Sequence, residues 1–303
     1  MNHSWKFTYM LRHWKRLAWL SVRDYLSWVI MTITIIGSLL AFLPEEDALW
    51  LRSSVQFLWT HIWLSTLLLF LLLLVAICIH WPRTRAVYKD KTSDIRVIIE
   101  CCDLLRQDGL KVIHVVDTFD TELDRIITPR SLHGAFLTMC CKQNIDAEPL
   151  VAEQLEKHRP VSRDTKLPGR TTRYQLGTVI PLTVNGHHYC WTAFTRLQEN
   201  GTIAITKDEY IRCLKQMWNN LAEPTLREEV VNVAVMGNRF VDLPAEFSTE
   251  QKIDLMIQTF FAVAREKACC RTLRICVHPT NVTDIDFSTY SVIIAHLAKR
   301  PVI

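Results

Sequence analysis

The stretch that decides the fold is Lys111–Leu137, KVIHVVDTFDTELDRIITPRSLHGAFL. It opens with the apolar, β-branched run Lys111–Val116, which predicts a buried strand. The run ends in the polar loop Asp117-Thr118-Phe119-Asp120-Thr121, and Ser131-Leu132-His133-Gly134 then leads into an apolar segment that predicts a helix. Open α/β sheets bind their ligands outside the carboxyl ends of the strands, where a loop passes into a helix. The stretch therefore predicts an α/β fold with a ligand site after this strand.

Strands and helices alternate through the rest of the soluble part, which begins near Ile95. The predicted strands are Ile95–Glu100, Thr178–Val184, Tyr189–Leu197, Glu229–Met236 and Thr272–His278. The predicted helices are Ala147–Lys157, Asp208–Leu221, one that begins after Ser248, and Thr289–Leu297. Asn185-Gly186 predicts a type I′ hairpin turn, and Ser248 with Gln251 forms a capping box. Residues 142–175 predict a helical insertion followed by a mobile loop. The alternation predicts a sheet covered by helices.

A second strand-end loop, Gly237–Pro244, precedes the helix that Ser248 begins. A helix N-terminus offers unpaired N–H groups and a partial positive charge, both of which suit a phosphate. Gly237 would let the backbone approach such a ligand closely. Either loop alone is a common feature of α/β proteins, so the pair of loops is the candidate site.

The N-terminal third of the chain predicts a membrane segment. Residues 1–24 mix basic and aromatic side chains, as segments at a membrane surface do. Residues 25–43 carry no charge and, at 1.5 Å per residue, span about 28 Å, close to the ~30 Å hydrocarbon core of a bilayer. They predict a first transmembrane helix. A signal peptide is the alternative, but Phe42-Leu43-Pro44-Glu45 lacks the small residues of a cleavage site.

Residues 59–80 form a second apolar block and predict a second transmembrane helix. Residues 82–94 form a basic linker behind it, and acidic residues lie between the two blocks. This charge pattern predicts a multi-pass protein with both termini in the cytoplasm. A pair of buried helices in a soluble protein is the alternative. Two helices cannot enclose a pore, so a hairpin that perforates a membrane would have to form a homo-oligomer.

Charge and cysteine content exclude several other classes of protein. The net charge of +4 is mild, and no basic run is long enough to predict nucleic acid as a partner. Six of the ten cysteines lie in adjacent pairs, which predicts reduced thiols rather than a disulfide framework. The Cys and His residues show no spacing typical of a zinc site, so no metal is predicted.

Three segments carry a resemblance to a known family: V-I-H-V-V-D-T-F-D-T-E-L, T-P-R-S-L-H-G-A-F-L, and Y-Q-L-G-T-V at Tyr174–Val179. They resemble the macro-like domain of bacterial antiphage effectors. Two transmembrane helices followed by such a domain resemble the membrane-anchored effector of type II Thoeris systems, over about Ile95–Leu297. The resemblance implies a macro-like three-layer α/β/α domain with a mixed sheet in residues 95–303.

The resemblance also implies a function. In Thoeris systems a partner TIR-domain protein makes a signal nucleotide from NAD, and for this effector type the signal is a histidine-conjugated ADP-ribose. Binding of that ADP-ribose derivative would trigger oligomeric disruption of the bacterial inner membrane and abortive infection. No other cofactor is implied.

By position, the resemblance assigns contacts to individual residues. Asp103 would lie against the adenine amine, and Phe119 or Phe240 would stack on a base or a ribose. The full implied ligand-binding set is Asp103, Asp117, Thr118, Phe119, Asp120, Thr121, Ser131, His133, Gly134, Gly237, Asn238, Arg239 and Phe240. The structural alternative for Asp117 and Asp120 is that they cap a turn.

The sequence departs from hydrolytic macro domains in both loops. Those domains carry an Asn-rich first loop followed by a run of glycines, whereas this chain has Asp117-Thr118-Phe119-Asp120 and a single Gly134. The second loop has one glycine where Gly-x-Gly is usual. These differences favour a sensor without catalytic residues. A membrane-tethered ADP-ribosyl or nucleotide hydrolase and a non-catalytic membrane adaptor stay open as alternatives.

Overall fold

The computed structural model describes residues 4–42, 49, 53–54, 56–57, 60–79, 83–90, 93–165, 167, 169–237, 247–278 and 285–299. The chain divides into two compact units, one within residues 2–83 and the other within residues 84–303. The second unit therefore begins about ten residues before the predicted boundary at residue 95.

The N-terminal unit contains two helices, α1 (Ser4–Phe42) and α2 (Ile62–Ile79). They pack against each other where Ser21 and Ala76 are buried. Within α1, the 22 residues Ala18–Leu39 are long and apolar enough to cross a membrane. Such a helix near an N-terminus also fits a signal sequence.

The prediction of two transmembrane helices is corrected to one candidate span. In α2 the described apolar stretch is Thr66–Ile79, which is shorter than the ~20 residues that a bilayer requires. The predicted multi-pass topology is therefore not supported. Residues 4–24, predicted as a separate surface segment, are continuous with the apolar part of α1.

The C-terminal unit is built on one large mixed sheet. Its strands are β1 (Arg85–Lys89), β2 (Arg96–Cys101), β3 (Leu110–Val116), β6 (Val179–Val184), β7 (His187–Leu197), β8 (Ile203–Ala204), β9 (Val230–Ala234) and β10 (Thr272–Val277). The order is β1-β2-β10-β9-β3-β7-β6, and β8 pairs with β7. The five strands from β2 to β7 in this order run parallel, whereas β1 and β6 are antiparallel to their neighbours. The predicted mixed sheet is confirmed.

Helices cover both faces of this sheet. The helices are α3 (Leu132–Lys142), α4 (Ala147–Leu155), α5 (Lys207–Leu221), α6 (Thr249–Ala264) and α7 (Phe287–Leu297). On one face, Ile113 and Val115 pack in a core cluster with Phe136 of α3 and Val151 of α4. On the other face α5, α6 and α7 are packed, and there Phe261 of α6 meets Tyr88 of β1 with ring centroids 6.1 Å apart. The sheet with helices on both faces gives the expected three layers.

Three segments were missed as regular structure, one of them the short strand β8. β1 lies within the predicted linker of residues 82–94, where Ala86 and Tyr88 turn toward the core while Arg85, Val87 and Lys89 are exposed. A second, two-stranded sheet forms from β4 (Ser162–Arg163) and β5 (Thr172–Arg173) inside the stretch that predicts a mobile loop. These two strands and the turn between them are called the β4–β5 hairpin below.

Candidate ligand site at the carboxyl edge of the sheet

The parallel strands bring both predicted ligand loops to one edge of the sheet. β3 and β9 are direct neighbours, with Val112 paired to Val233, so the loops that begin at Asp117 and after Ala234 leave the sheet side by side. β10 and β2 follow on the far side of β9, which places the turn at Asp103 at the same edge. The strand order therefore starts both loops at the same edge of the sheet.

Asp117 is a buried anchor at the end of β3. Its carboxylate accepts the Leu197 N–H at 3.0 Å and forms an ion pair with Arg173 at 2.7 Å. Its own N–H donates to the Thr195 carbonyl at 2.8 Å, and its carbonyl accepts the Tyr174 N–H at 2.9 Å. Burial raises the pKa of Asp117 above its ordinary value, although Leu197 and Arg173 oppose that shift. The carboxylate therefore ties β3 to β7 and β5.

The next residues of the first loop are also buried and bonded within the protein. Phe119 adopts a φ of 53° and is fully buried, with its ring 5.6 Å from that of Tyr174. Asp120 is also buried, accepting the Arg170 N–H at 2.6 Å and the Thr118 hydroxyl. The β4–β5 hairpin thus packs on this loop and engages both of its aspartates.

Thr121 lies at the rim of the loop and is half-buried. Its hydroxyl donates to the Glu148 carboxylate, which also pairs with the Arg170 guanidinium. This rim contact links the loop to α4 and to the hairpin.

Helix α3 begins at the loop that follows. The Ser131 hydroxyl caps it by accepting the Gly134 N–H at 2.9 Å. A side chain on Gly134 would collide with the Thr128 carbonyl, so the backbone here requires a glycine. His133 is buried against Trp191, with ring centroids 4.4 Å apart, and burial lowers the pKa of His133 to about 3. Among the described residues, neither His133 Nε2 nor Trp191 Nε1 has a hydrogen-bond partner.

Asp103, to which the resemblance assigns the adenine contact, lies in the turn after β2. Its carboxylate accepts the Leu105 N–H at 3.2 Å and pairs with Arg106 at 3.3 Å, starting a short 3₁₀ turn at Leu104–Arg106. Its side chain is 38% exposed, so an oxygen of the carboxylate can still be reached by a ligand. Asp103 is the most accessible of the predicted carboxylates.

Of the second loop, Gly237–Pro244, only Gly237 lies among the described residues. Gly237 has a φ of 74°, a conformation that favours glycine, and its carbonyl accepts a hydrogen bond from the Lys252 ammonium at 2.9 Å. Asn238, Arg239 and Phe240 lie outside the described residues. Ser248 and Gln251 form the predicted capping box at the start of α6.

Sequence reasoning missed three residues that build this edge, namely Arg170, Arg173 and Lys252. The two arginines come from a stretch of mixed charge whose partners are about 50 positions away in the sequence. Lys252 follows directly after the capping box, where it reads as an ordinary surface lysine of an amphipathic helix. Within the described residues, no group of three His, Cys, Asp or Glu side chains could hold a metal ion.

The sequence model of the family described as "Thoeris protein ThsA, Macro domain" matches residues 97–278. The chain belongs to this ThsA macro-domain family. Membership places it with the macro-domain proteins of Thoeris antiphage defence, as the resemblance implied. No curated protein sequence matches the chain.

Two solved structures align with the chain at low sequence identity. Two variants of the Oceanobacillus iheyensis macrodomain align with it at 10% and 12% sequence identity and TM-scores of 0.41 and 0.43. The alignments cover 70% and 71% of this chain and 99% and 95% of those chains.

Proposed function

We propose that this ThsA-family macro domain is a sensor for an NAD-derived nucleotide, an ADP-ribose derivative of which histidine-conjugated ADP-ribose is the leading candidate. The partner TIR-domain protein of the Thoeris system would supply it. The observation that carries the proposal is the family match over residues 97–278, together with the meeting of the β3 and β9 loops at one edge of the sheet.

The ligand is proposed to lie across that edge. Asp103 would accept the adenine amine, Ser131–Gly134 would lie near the distal ribose, and the loop after Gly237 would face the diphosphate. The Asp117 and Asp120 carboxylates are engaged inside the protein, so their proposed role is to fix the first loop, and the backbone of residues 118–121 would make the contacts. This division also keeps two carboxylates from facing a negatively charged diphosphate.

We propose binding without turnover. A general base needs a titratable group within hydrogen-bond reach of substrate and a pKa near neutral pH. Of the predicted site residues, Asp117 is held by Arg173 and Leu197, and His133 is buried with a pKa of about 3. This arrangement supports a sensing role.

The proposed response is oligomeric disruption of the inner membrane. The apolar segment Ala18–Leu39 of α1 would anchor the protein, with the macro domain on the cytoplasmic side where NAD is found. A ligand shifts an equilibrium only by its differential affinity for the two states. The nucleotide must therefore bind the assembled, membrane-active form more tightly than the resting form.

Calorimetry with the full-length protein in detergent tests the proposal. ADP-ribose, histidine-conjugated ADP-ribose and NAD are titrated into the wild type, D103N and D146N. Asp146 is a matched control, because it caps α4 by accepting the Glu148 N–H at 3.0 Å, much as Asp103 caps its own turn. Asn keeps the capping ability in both positions. We expect D103N to weaken binding about tenfold or more, since it loses a charged acceptor worth ~1.5–3 kcal/mol, and D146N to bind like the wild type.

Other outcomes decide between the alternatives. Absence of binding by the wild type to all three nucleotides would reject the sensor and favour an adaptor. Chromatography monitors the release of product from ADP-ribosylated protein or from NAD. Sustained release would favour a hydrolase. Equal affinity in D103N and the wild type would remove Asp103 from the site.

A further inference from the structure

Cys102 and Cys276 bring two thiols together at the carboxyl edge of the sheet. Cys276 lies in β10 and pairs with Glu100 of the parallel strand β2, and Cys102 follows Glu100 by two positions. Side chains alternate along a strand, and paired residues point to the same face, so both cysteines lie on one face of the sheet. Cys276 belongs to the hydrophobic core cluster on that face, and Cys102 packs against this cluster. A hydrogen bond joins the two thiols.

The two thiols differ in their access to solvent. Cys276 is only 3% exposed, whereas Cys102 is partly exposed. The hydrogen bond with Cys102 and burial both raise the pKa of the Cys276 thiol, so this thiol keeps its proton at neutral pH. Oxidants select thiols that they can reach. Cys102 is therefore the thiol that a dissolved oxidant meets first, and Cys276 is placed to react with the oxidised Cys102.

We propose that Cys102 and Cys276 form a modification site, a dithiol that a peroxide converts into a disulfide. With hydrogen peroxide, the Cys102 sulfur attacks one oxygen, the O–O bond breaks, and one water leaves as Cys102 becomes a sulfenic acid. The Cys276 sulfur then attacks the Cys102 sulfur and displaces hydroxide, which takes the Cys276 proton and leaves as a second water. The two sulfurs lose two electrons, and the peroxide gains them.

The disulfide acts on the nucleotide site through Asp103. Asp103 directly follows Cys102 and carries the proposed adenine contact, so this step rests on the proposed function. An S–S bond is about 2.05 Å long, which is much shorter than a hydrogen-bonded contact. Its formation draws Cys102 toward β10 and moves the turn at Asp103 with it. The oxidised protein therefore binds ADP-ribose more weakly than the reduced protein.

Peptide mass spectrometry tests the modification site in full-length protein in detergent. Trypsin releases Cys102 in residues 97–106 and Cys276 in residues 275–299. We expect hydrogen peroxide to link these two peptides and dithiothreitol to separate them. C102S and C276S should give no link, whereas the control C141S, which removes an exposed cysteine of α3, should give it. C276A replaces C276S if serine at this buried position lowers the thermal midpoint.

Calorimetry with ADP-ribose tests the effect on the nucleotide site in the same samples. We expect peroxide to weaken binding about tenfold or more in the wild type and in C141S, and dithiothreitol to restore it. C102S should have the same affinity before and after peroxide.

The remaining outcomes overturn the inference or separate it from the proposed function. A wild type that forms no link between the two peptides overturns the modification site. A link without a change in affinity, or an equal effect of peroxide on C102S, overturns its action on the nucleotide site. If the reduced wild type binds no ADP-ribose, the proposed function fails, and the linked peptides still decide whether the modification site exists.

Discussion

His133 couples the stability of the macro domain to pH. Burial lowers its pKa to about 3 in the folded state, while an exposed histidine titrates near 6.5. The unfolded chain therefore binds more protons between these values, and stability that is complete above pH ~6.5 is lost as the pH falls toward 3. His114, with a pKa lowered to about 4, adds to the same loss.

Replacing His133 by Gln should reduce this dependence. Each such histidine contributes a slope of up to ~1.4 kcal/mol per pH unit, so H133Q should lose less stability than the wild type between pH 7 and pH 5. Urea unfolding at several pH values measures the difference. His188, exposed on β7, supplies the control H188Q, which should follow the wild type. If the free energy of unfolding falls equally with pH in H133Q and in the wild type, His133 does not cause the pH dependence.

At the scale of elements, a buried ion pair joins the β4–β5 hairpin to the first ligand loop, in addition to the hydrogen bond from the Arg170 N–H to Asp120. Arg173 joins Asp117 at 2.7 Å, and the Arg173 guanidinium also donates to the Leu197 carbonyl at 2.7 Å. The two side chains are 16% and 3% exposed. Removing the arginine would leave a buried carboxylate whose ion-pair partner is gone, which costs more than neutralising that carboxylate.

We therefore expect R173M to destabilise the domain by about 3–5 kcal/mol and D117N by less, because Asn can still accept the Leu197 N–H. The double variant D117N/R173M should recover part of the loss caused by R173M alone. The thermal midpoints of unfolding measure these changes in stability, since 1 kcal/mol corresponds to roughly 2–4 °C in a domain of this size. If D117N and R173M lower the free energy of unfolding equally, the unpaired buried charge of Asp117 does not explain the loss in R173M.

How far the sequence predicts this fold depends on the range of the contacts. The Asn185-Gly186 turn and the Ser248 capping box are local, and both form as predicted, with φ values of 49° and 76° in the turn. The side-by-side loops follow from parallel strand order, which a strand–loop–helix pattern anticipates.

The roles of Asp117 and Asp120 could not be predicted in the same way. Their partners lie 50 or more positions away, in a polar stretch with no clear periodicity. A surface-like Asp and a buried, paired Asp look alike in sequence. For the same reason β1 escaped prediction: only its pairing with β2 and the packing of Tyr88 on Phe261 make a strand of a short charged segment.

For the whole molecule, the proposed function requires that the macro domain be tied to a membrane. The candidate tie is Ala18–Leu39 in α1, where Ile30 and Ile33 are 62% and 65% exposed. Among the described residues of the N-terminal unit, none covers these apolar side chains, so lipid is the environment that best accommodates them. A cleaved signal sequence would give the same hydropathy, but the mature protein would then lack α1.

Replacing both Ile30 and Ile33 by Asp should therefore release the protein from membranes. Each exchange costs about 3–4 kcal/mol near the centre of a span, roughly 7 kcal/mol together, which exceeds what a single marginal helix can sustain. Fractionation followed by a carbonate wash should place the wild type in the pellet and the double Asp variant in the supernatant. The double variant Ile30→Val and Ile33→Val keeps the apolar surface and should stay in the pellet. The intact mass of the purified wild type distinguishes an anchor from a cleaved signal sequence. A retained N-terminus supports the anchor. A mass that lacks the first helix would show that α1 is a signal sequence and that membrane attachment must come from elsewhere.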